Sequence, residues 1–238
     1  VAKSIFLSVP HYGDLAPEAL TSLVLPTREE RLKIQPTSAS ILPHNFNLAW
    51  TLALNQREKL GLTHFSMHHA DISAEAGWLD TLLEELEKYQ ADVVSVAVAI
   101  KDGRGLTSTA LQDRCTGKIR RLTMRELHQM PPTFDAGDAE RVLGSRGHDL
   151  LVNSGLWVCR FDTRWPEQFP GFEFRTRIKR LIDGTFVPEV ESEDWLFSAW
   201  AARHGLKVMG TRKVKVGHYG RSVFGNAEPW GSLEHDVP

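Results

Sequence analysis

Nine consecutive residues, Asp92-Val93-Val94-Ser95-Val96-Ala97-Val98-Ala99-Ile100, restrict the fold more than any other stretch of the chain. An almost unbroken Val/Ala run of this length suits a strand buried on both faces, and such a strand belongs in a sheet covered by helices on each side. The segments before it supply those helices. Residues 77–89 carry Trp78, Leu79, Leu82, Leu83 and Leu86 on one helical face and acids on the other. A strand over 63–69 and a helix over 47–59 precede them, and residues 3–9 read as a first strand cut off by Pro10 and Gly13-Asp14. In a helix over 15–25, ended by Pro26, Leu15, Ala19, Leu20, Leu23 and Val24 share one face. This alternation predicts an α/β fold with a mainly parallel, doubly wound sheet.

The pattern changes after Lys101. Gly103, Gly105 and a Thr/Ser cluster predict a long loop, and Pro131, Pro132, Gly137, Gly144 and Gly147 extend the irregular region to about residue 148. Strand character returns over 149–161, around Asn153-Ser154-Gly155. A helix over 193–204 has Ser192 as its cap, and short strands follow over 207–209 and 213–216. Beyond Gly220 the tail reads as a flexible lid or a frayed end.

At 238 residues the chain suits one domain. The 28 Lys+Arg against 30 Asp+Glu leave a net charge of -2, so no polyanionic partner is advertised. The basic run Arg114, Lys118, Arg120, Arg121, Arg125 reads as a solvated surface. Cys115 and Cys159 have neither disulfide-framework nor zinc spacing. With no apolar run of membrane-spanning length and no signal-type N-terminus, cytoplasmic residence is the expectation. The first strand leads into neither GxGxxG nor a phosphate loop, and GxSxG and HExxH are missing, which disfavours dinucleotide, P-loop, hydrolase and zinc-protease chemistry.

What remains is chemistry at strand ends. If the strand continues from Phe65 to Asp71, alternation puts His69 and Asp71 on one side with Met67, and His68 on the other. A carboxylate beside an imidazole suits Mn²⁺ or Mg²⁺, hard ions that paired phosphates also coordinate. The plainer alternative is that Asp71 is a turn or cap residue ahead of Ser73. The hydroxyls of Thr107, Ser108 and Thr109, just past the apolar strand, stand where ligands gather in open α/β sheets and are expected to line a sugar or acceptor site.

The succession of Pro10-His11-Tyr12-Gly13-Asp14, His69-Ala70-Asp71, Glu193-Asp194-Trp195 and His218 resembles a GT-A glycosyltransferase of the family-two type, over most of the chain. The resemblance implies a nucleoside-diphosphate sugar donor and a divalent ion, with Asp71 matching the last acid of a DxD motif, His69 replacing the first, and His218 as a late metal ligand. It implies a nucleoside resting on Pro10, Tyr12 and Asp14, with Tyr12 stacked on the base. It also implies that Asn45 and Asn47 face the donor and that Asn153, Ser154 and Gly155 lie beneath the donor sugar. Asp194 becomes the general base of an inverting transfer, with Glu193 beside it. Residues 1–113 then form the nucleotide-sugar half of one domain, 149–220 the acceptor and catalytic half, and 221–238 a tail. The acceptor stays open among glycan, lipid-linked sugar, small molecule, protein and modified nucleic acid. Two alternatives accompany this expectation: a nucleotidyltransferase acting on a sugar phosphate, and a binding module without turnover.

Overall fold

The computed structural model describes residues 3–13, 15, 17–28 and 31–236. In chain order the elements are β1 (Ile5–His11), α1 (Pro17–Val24), β2 (Leu32–Ser38), α2 (Leu42–Leu60), β3 (His64–His68), β4 (Ile72–Ala74), α3 (Trp78–Lys88) and β5 (Val93–Val96). There follow β6 (Leu106–Asp113), β7 (Ile119–Thr123), α4 (Met124–Gln129), β8 (Thr133–Phe134), α5 (Ala136–Leu143), β9 (His148–Leu151), β10 (Leu156–Arg160) and α6 (Trp165–Gln168). The chain closes with β11 (Arg175–Arg180), β12 (Phe186–Glu191), α7 (Glu193–Arg203), β13 (Val208–Thr211), β14 (Val216–Tyr219) and β15 (Val223–Gly225).

Seven strands form the central sheet in the order β2-β1-β3-β10-β5-β13-β8. Five of them run in one direction, but β10 enters antiparallel between β3 and β5, and β8 pairs antiparallel with β13. The sheet is therefore mixed: helices flank it as expected, but the antiparallel β10 and β8 correct the mainly parallel expectation. Strand direction depends on how distant segments connect, and the short 152–155 link delivers the chain into the sheet against its neighbours without a crossover helix.

Alternation along β1 sends Ile5, Leu7 and Val9 to one face and Phe6 to the other. The first face is covered by α3 through Trp78, Leu79, Leu82, Leu83 and Leu86. On the second, Phe6, Phe65 and Trp157 meet Phe46 and Trp50 of α2 and Phe197 and Trp200 of α7. Trp50 is the centre of this cluster: its ring centroid lies 4.8 Å from Phe65, 5.0 Å from Phe161, 5.6 Å from Phe169 and 5.8 Å from Trp165, and its Nε1 donates to the Pro166 carbonyl at 3.1 Å.

Several local expectations change. Of the expected α1 face, Ala19 is buried and Leu15 and Leu23 pack against the core, but Leu20 and Val24 are exposed and Ser22 is buried instead. Ser22 is held there from two sides: its Oγ accepts from Ala74 N at 2.6 Å and its carbonyl from Trp78 Nε1 at 2.9 Å. Helix α2 starts five residues before the expected position 47 and ends at Gly61, whose φ of 58° suits a glycine stop. Strand β2, unrecognised in the sequence, tolerates Pro36 because it lies at the sheet edge. The 149–161 strand is two strands, and the expected 213–216 strand lies at Val216–Tyr219.

The region expected to be irregular up to 148 folds instead into β6 through β9, with β7-β6-β9 forming a second sheet over its own apolar cluster. Reciprocal capping boxes at Thr123/Glu126 and Asp135/Asp138 start its helices. Nor is the tail frayed through residue 236. The Gly105 and Gly231 backbones touch so closely that a Cβ on Gly105 would lie 2.3 Å from the Trp230 carbonyl. Buried Asn226 ties the tail to the Ala97 and Val214 carbonyls and to Val216 N.

Trp50→Ala is expected to lower unfolding free energy by about 3–5 kcal/mol. Chemical denaturation measures it, and a loss below about 1 kcal/mol would mean that the aromatic cluster is not what holds α2 to the sheet.

Candidate functional site

Two cavities adjoin at the ends of β1, β3 and β5. The first, of about 630 Å³, is bordered by Pro10, Tyr12, Leu42, Asn45, His69 and Asp71. The Tyr12 side chain is 80% exposed, so its ring is free to meet a ligand at the rim. Asn45, at the start of α2, is buried. Its Nδ2 donates to the His11 carbonyl at 3.1 Å, and its Oδ1 has no partner. An unmatched buried acceptor beside a cavity favours a donor group arriving from a ligand. Asp14 lies outside the described residues. Asn47 does not face the cavity as expected: both ends of its amide grip the Phe172 backbone at 2.8 Å.

His69 lines both cavities. Strand β3 stops at His68, so the expected alternation through Asp71 does not occur; His69 N donates to the Gly155 carbonyl at 2.8 Å and Asp71 lies in the turn before β4. That turn is tied to β14 through Tyr219 N and the Asp71 carbonyl at 2.8 Å. The tie brings His218, adjacent to Tyr219, to Asp71, with Nε2 at 3.5 Å from Oδ2. Because a carbonyl only accepts, the 2.7 Å contact with Ala99 O makes His218 Nδ1 a donor, and Nε2 is the nitrogen turned to the carboxylate. Lys101 Nζ also bonds Asp71 Oδ2.

Burial works to raise the Asp71 carboxyl, but hydrogen bonds from His218 and Lys101 outweigh it and hold the group well below the usual carboxylate range. Burial pushes the His69 imidazole down to about 4. Among the described residues no three of His, Cys, Asp and Glu converge on one point, so the expected trio of Asp71, His69 and His218 does not assemble. His69 instead packs on Phe46 at 5.1 Å, with its Nε2 unpartnered. Asp71 and His218 are left as a pair of potential oxygen and nitrogen ligands, with the Lys101 ammonium on the same Asp71 oxygen.

The second cavity, of about 410 Å³, is bordered by Lys101, Ser108, Arg121, Ser154, Glu193 and Asp194. Ser108 lines it as expected, but Thr107 is fully buried and donates to the Leu122 carbonyl at 2.7 Å. Asn153 spends its amide locally, donating to Val96 O at 2.6 Å and accepting from Gly155 N at 2.9 Å. Gly155 makes room for protein before ligand: a Cβ there would lie 2.6 Å from Ile72 Cδ1.

Ser192 occupies the N-cap position of α7 without a side-chain cap bond, its hydroxyl bonding Asp194 Oδ1. Trp195 N donates to the same oxygen at 2.8 Å. Burial pushes both neighbouring acids up, Glu193 to about 8 with the Asp194 charge adding to the effect. Two cations here do not read as site residues in the sequence: Lys101 marks only the end of the apolar strand, and Arg121 belongs to a run that reads as a solvated basic surface. Lys101 is the first residue after the apolar strand, where sheet-end ligands gather, and Arg121 sits on a strand whose alternation turns one arginine inward.

Fold and site together define a mixed α/β protein with a large sheet flanked by helices and, at its strand ends, a cleft that several charged side chains reach. No protein-family model matches the chain, and no curated protein does. Among solved structures it is similar to A197 from STIV, with 12% identity and a TM-score of 0.56 over 98% of this chain and 100% of that one. That likeness shows the fold alone. A protein assigned as the UDP-N-acetylglucosamine pyrophosphorylase of Entamoeba histolytica overlaps at 10% identity and a TM-score of 0.42, over 88% of this chain and 73% of that one. The UDP-N-acetylglucosamine pyrophosphorylase of Trypanosoma brucei does so at 10% and 0.38, over 80% and 44%. Both overlaps are too loose to bear on function. No helix among the described residues is long and apolar enough to cross a membrane.

With its carboxyl raised, folded Glu193 keeps a proton that the unfolded chain releases, so this group's contribution to stability falls as pH rises from about 4.5 toward about 8. Glu193→Gln is expected to remove that decline, which is at most about 1.4 kcal/mol per pH unit. Denaturation midpoints of both proteins across this range test it; parallel profiles would show that Glu193 ionises normally in the folded chain.

Proposed function

We propose that the chain is a nucleotide-sugar-dependent glycosyltransferase of the GT-A kind, cytoplasmic, with 1–113 forming its donor half and 149–220 its acceptor half. The observation that carries this is the meeting of the two cavities at His69, beside Asp71, Lys101 and His218, with an acid pair across the second. The first cavity suits the nucleoside, held at Pro10 and Asn45 with the base on Tyr12. The charged junction suits the diphosphate, and the second cavity suits the sugar and acceptor beside Ser108, Ser154 and Gly155.

Asp194 acts as general base. One of its oxygens is held by Ser192 and Trp195, which orients the carboxylate and leaves the other for the acceptor hydroxyl. The acceptor oxygen gives its proton to Asp194 and bonds to the anomeric carbon as the carbon–oxygen bond to the diphosphate breaks. The products are an inverted glycoside and a nucleoside diphosphate. Asp71 and His218 would hold Mn²⁺ or Mg²⁺, which supplies charge compensation to the departing diphosphate. Lys101 favours a second reading, nucleotidyl transfer to a sugar phosphate, because an ammonium at the junction can also neutralise an attacked phosphate.

A thermal-shift screen of UDP-, GDP-, CMP- and dTDP-sugars, with and without Mn²⁺, identifies the donor. Product analysis then separates nucleoside diphosphate from pyrophosphate, and neither product would leave a binding module. Asp194→Asn is expected to lose about 10²–10⁴-fold in transfer while donor binding persists. Near-normal transfer would remove Asp194 as base. Asp71→Ala and His218→Ala should each weaken Mn²⁺-supported nucleotide binding in calorimetry, whereas unchanged Mn²⁺ dependence would make both residues structural.

A further inference from the structure

The second cavity contains an arginine whose guanidinium is bonded to no carboxylate among the described residues. Lys101 is committed to Asp71, and Arg120, one residue before Arg121, pairs with Glu126. Arg121 makes no ion pair among the described residues. Its Nη1 donates to the Thr107 carbonyl at 2.9 Å, and the guanidinium carbon lies 4.4 Å from the centre of the Trp195 ring. Trp195 is itself fixed, Nε1 donating to the Ser108 carbonyl at 2.9 Å. The guanidinium is thus held on a rigid aromatic floor with most of its N–H donors uncommitted and the cavity in front of it.

Burial pulls the Arg121 charge in the unfavourable direction; the Asp194, Asp236 and Asp102 charges oppose this and Arg104 adds to it, and the Asp236 carboxylate accepts from Arg121 N at 3.1 Å, not from the guanidinium. Keeping an unpaired cation partly out of water costs free energy that an incoming anion would recover. Asp194 does not fill that role, since its Oδ1 is taken by Ser192 and by Trp195 N. A planar guanidinium matches the two oxygens of a carboxylate or phosphate, a fit that an ammonium lacks.

We propose that Arg121 forms an oxyanion subsite of the second cavity and selects a substrate bearing a carboxylate or phosphate close to the transferred bond. The oxyanion belongs either to the donor sugar, as in a uronic acid, or to the acceptor, as in a sugar phosphate. The inference rests on the sugar-transfer reading for what enters the cavity, but the anion preference can be measured as binding, without turnover.

The experiment has two calorimetric arms, each run on wild type, Arg121→Met and Arg121→Lys. One compares UDP-glucuronic acid with UDP-glucose; the other compares glucose 6-phosphate with glucose, with and without UDP. In at least one arm the wild type is expected to bind the anionic member about tenfold more tightly than its neutral partner. Arg121→Met should abolish the preference without weakening the neutral ligand, and Arg121→Lys should keep part of it. Preference in the first arm assigns the subsite to the donor sugar, and in the second to the acceptor. If wild type shows no preference in either arm, or Arg121→Met retains it, Arg121 is only a structural pin for Trp195 and the proposal is overturned. Should Arg121→Met fail to fold, the wild-type comparison and Arg121→Lys still decide. Failure of the transferase reading looks different: no nucleotide sugar produces glycoside, whatever the anion preference.

Discussion

The hydrogen bond from His69 N to the Gly155 carbonyl governs the geometry of the cleft. It joins the end of β3 to the link that feeds β10 into the sheet, at a position where an added Cβ would force the Ile72 side-chain tip to move. Once the two segments meet, the chain turns at Asp71 instead of continuing as a strand, and β4 pairs with β14. That pairing carries His218 to Asp71 from a position almost 150 residues later. One close backbone approach thus sets both the ion-pair cluster at the junction and the wall shared by the two cavities.

Elements defined by local pattern were legible in the sequence. The amphipathic 77–89 stretch contains α3 with all five expected apolar core residues buried, because a 3.6-residue period needs no information from elsewhere; Glu85, expected on the outer face, is buried too, where Thr133 and Lys213 bond it. Pairing direction was not legible: β10 has the apolar composition of any central strand, and only the path of the preceding chain shows that it runs antiparallel. The 101–148 region misled for another reason. Its glycines and prolines do mark turns, but they separate short elements whose apolar faces close on one another, as Leu111, Leu122, Leu127 and Leu150 do.

Functional residues divide along the same line. Asp71 and His218 stand in turn and strand-end positions where either could be merely structural, but the fold places their side chains together. Asn47 and Thr107 were equally plausible in the sequence, yet their polar groups are consumed by backbone at Phe172 and Leu122. Arg121 was hidden by its neighbours. A run of five basic residues reads as surface, and only the alternation of β7 separates Arg120, paired outside with Glu126, from Arg121, turned to the cleft.

The acids at the start of α7 show two opposing effects with a clear winner. A helix N-terminus favours negative charge, typically by about 0.3–1 kcal/mol at an exposed position, and would draw Glu193 and Asp194 down. Burial acts the other way on both and prevails, since withdrawing a carboxylate from water costs several kcal/mol before any pairing returns it. Two adjacent buried acids also oppose each other's ionisation, so the pair holds a proton more readily than either would alone. Arg121 moderates this from across the cavity, favouring the charged form of Asp194. A carboxylate raised toward neutrality is a stronger proton acceptor than an ordinary one, and here the same burial that raises it also keeps bulk water from competing for the proton.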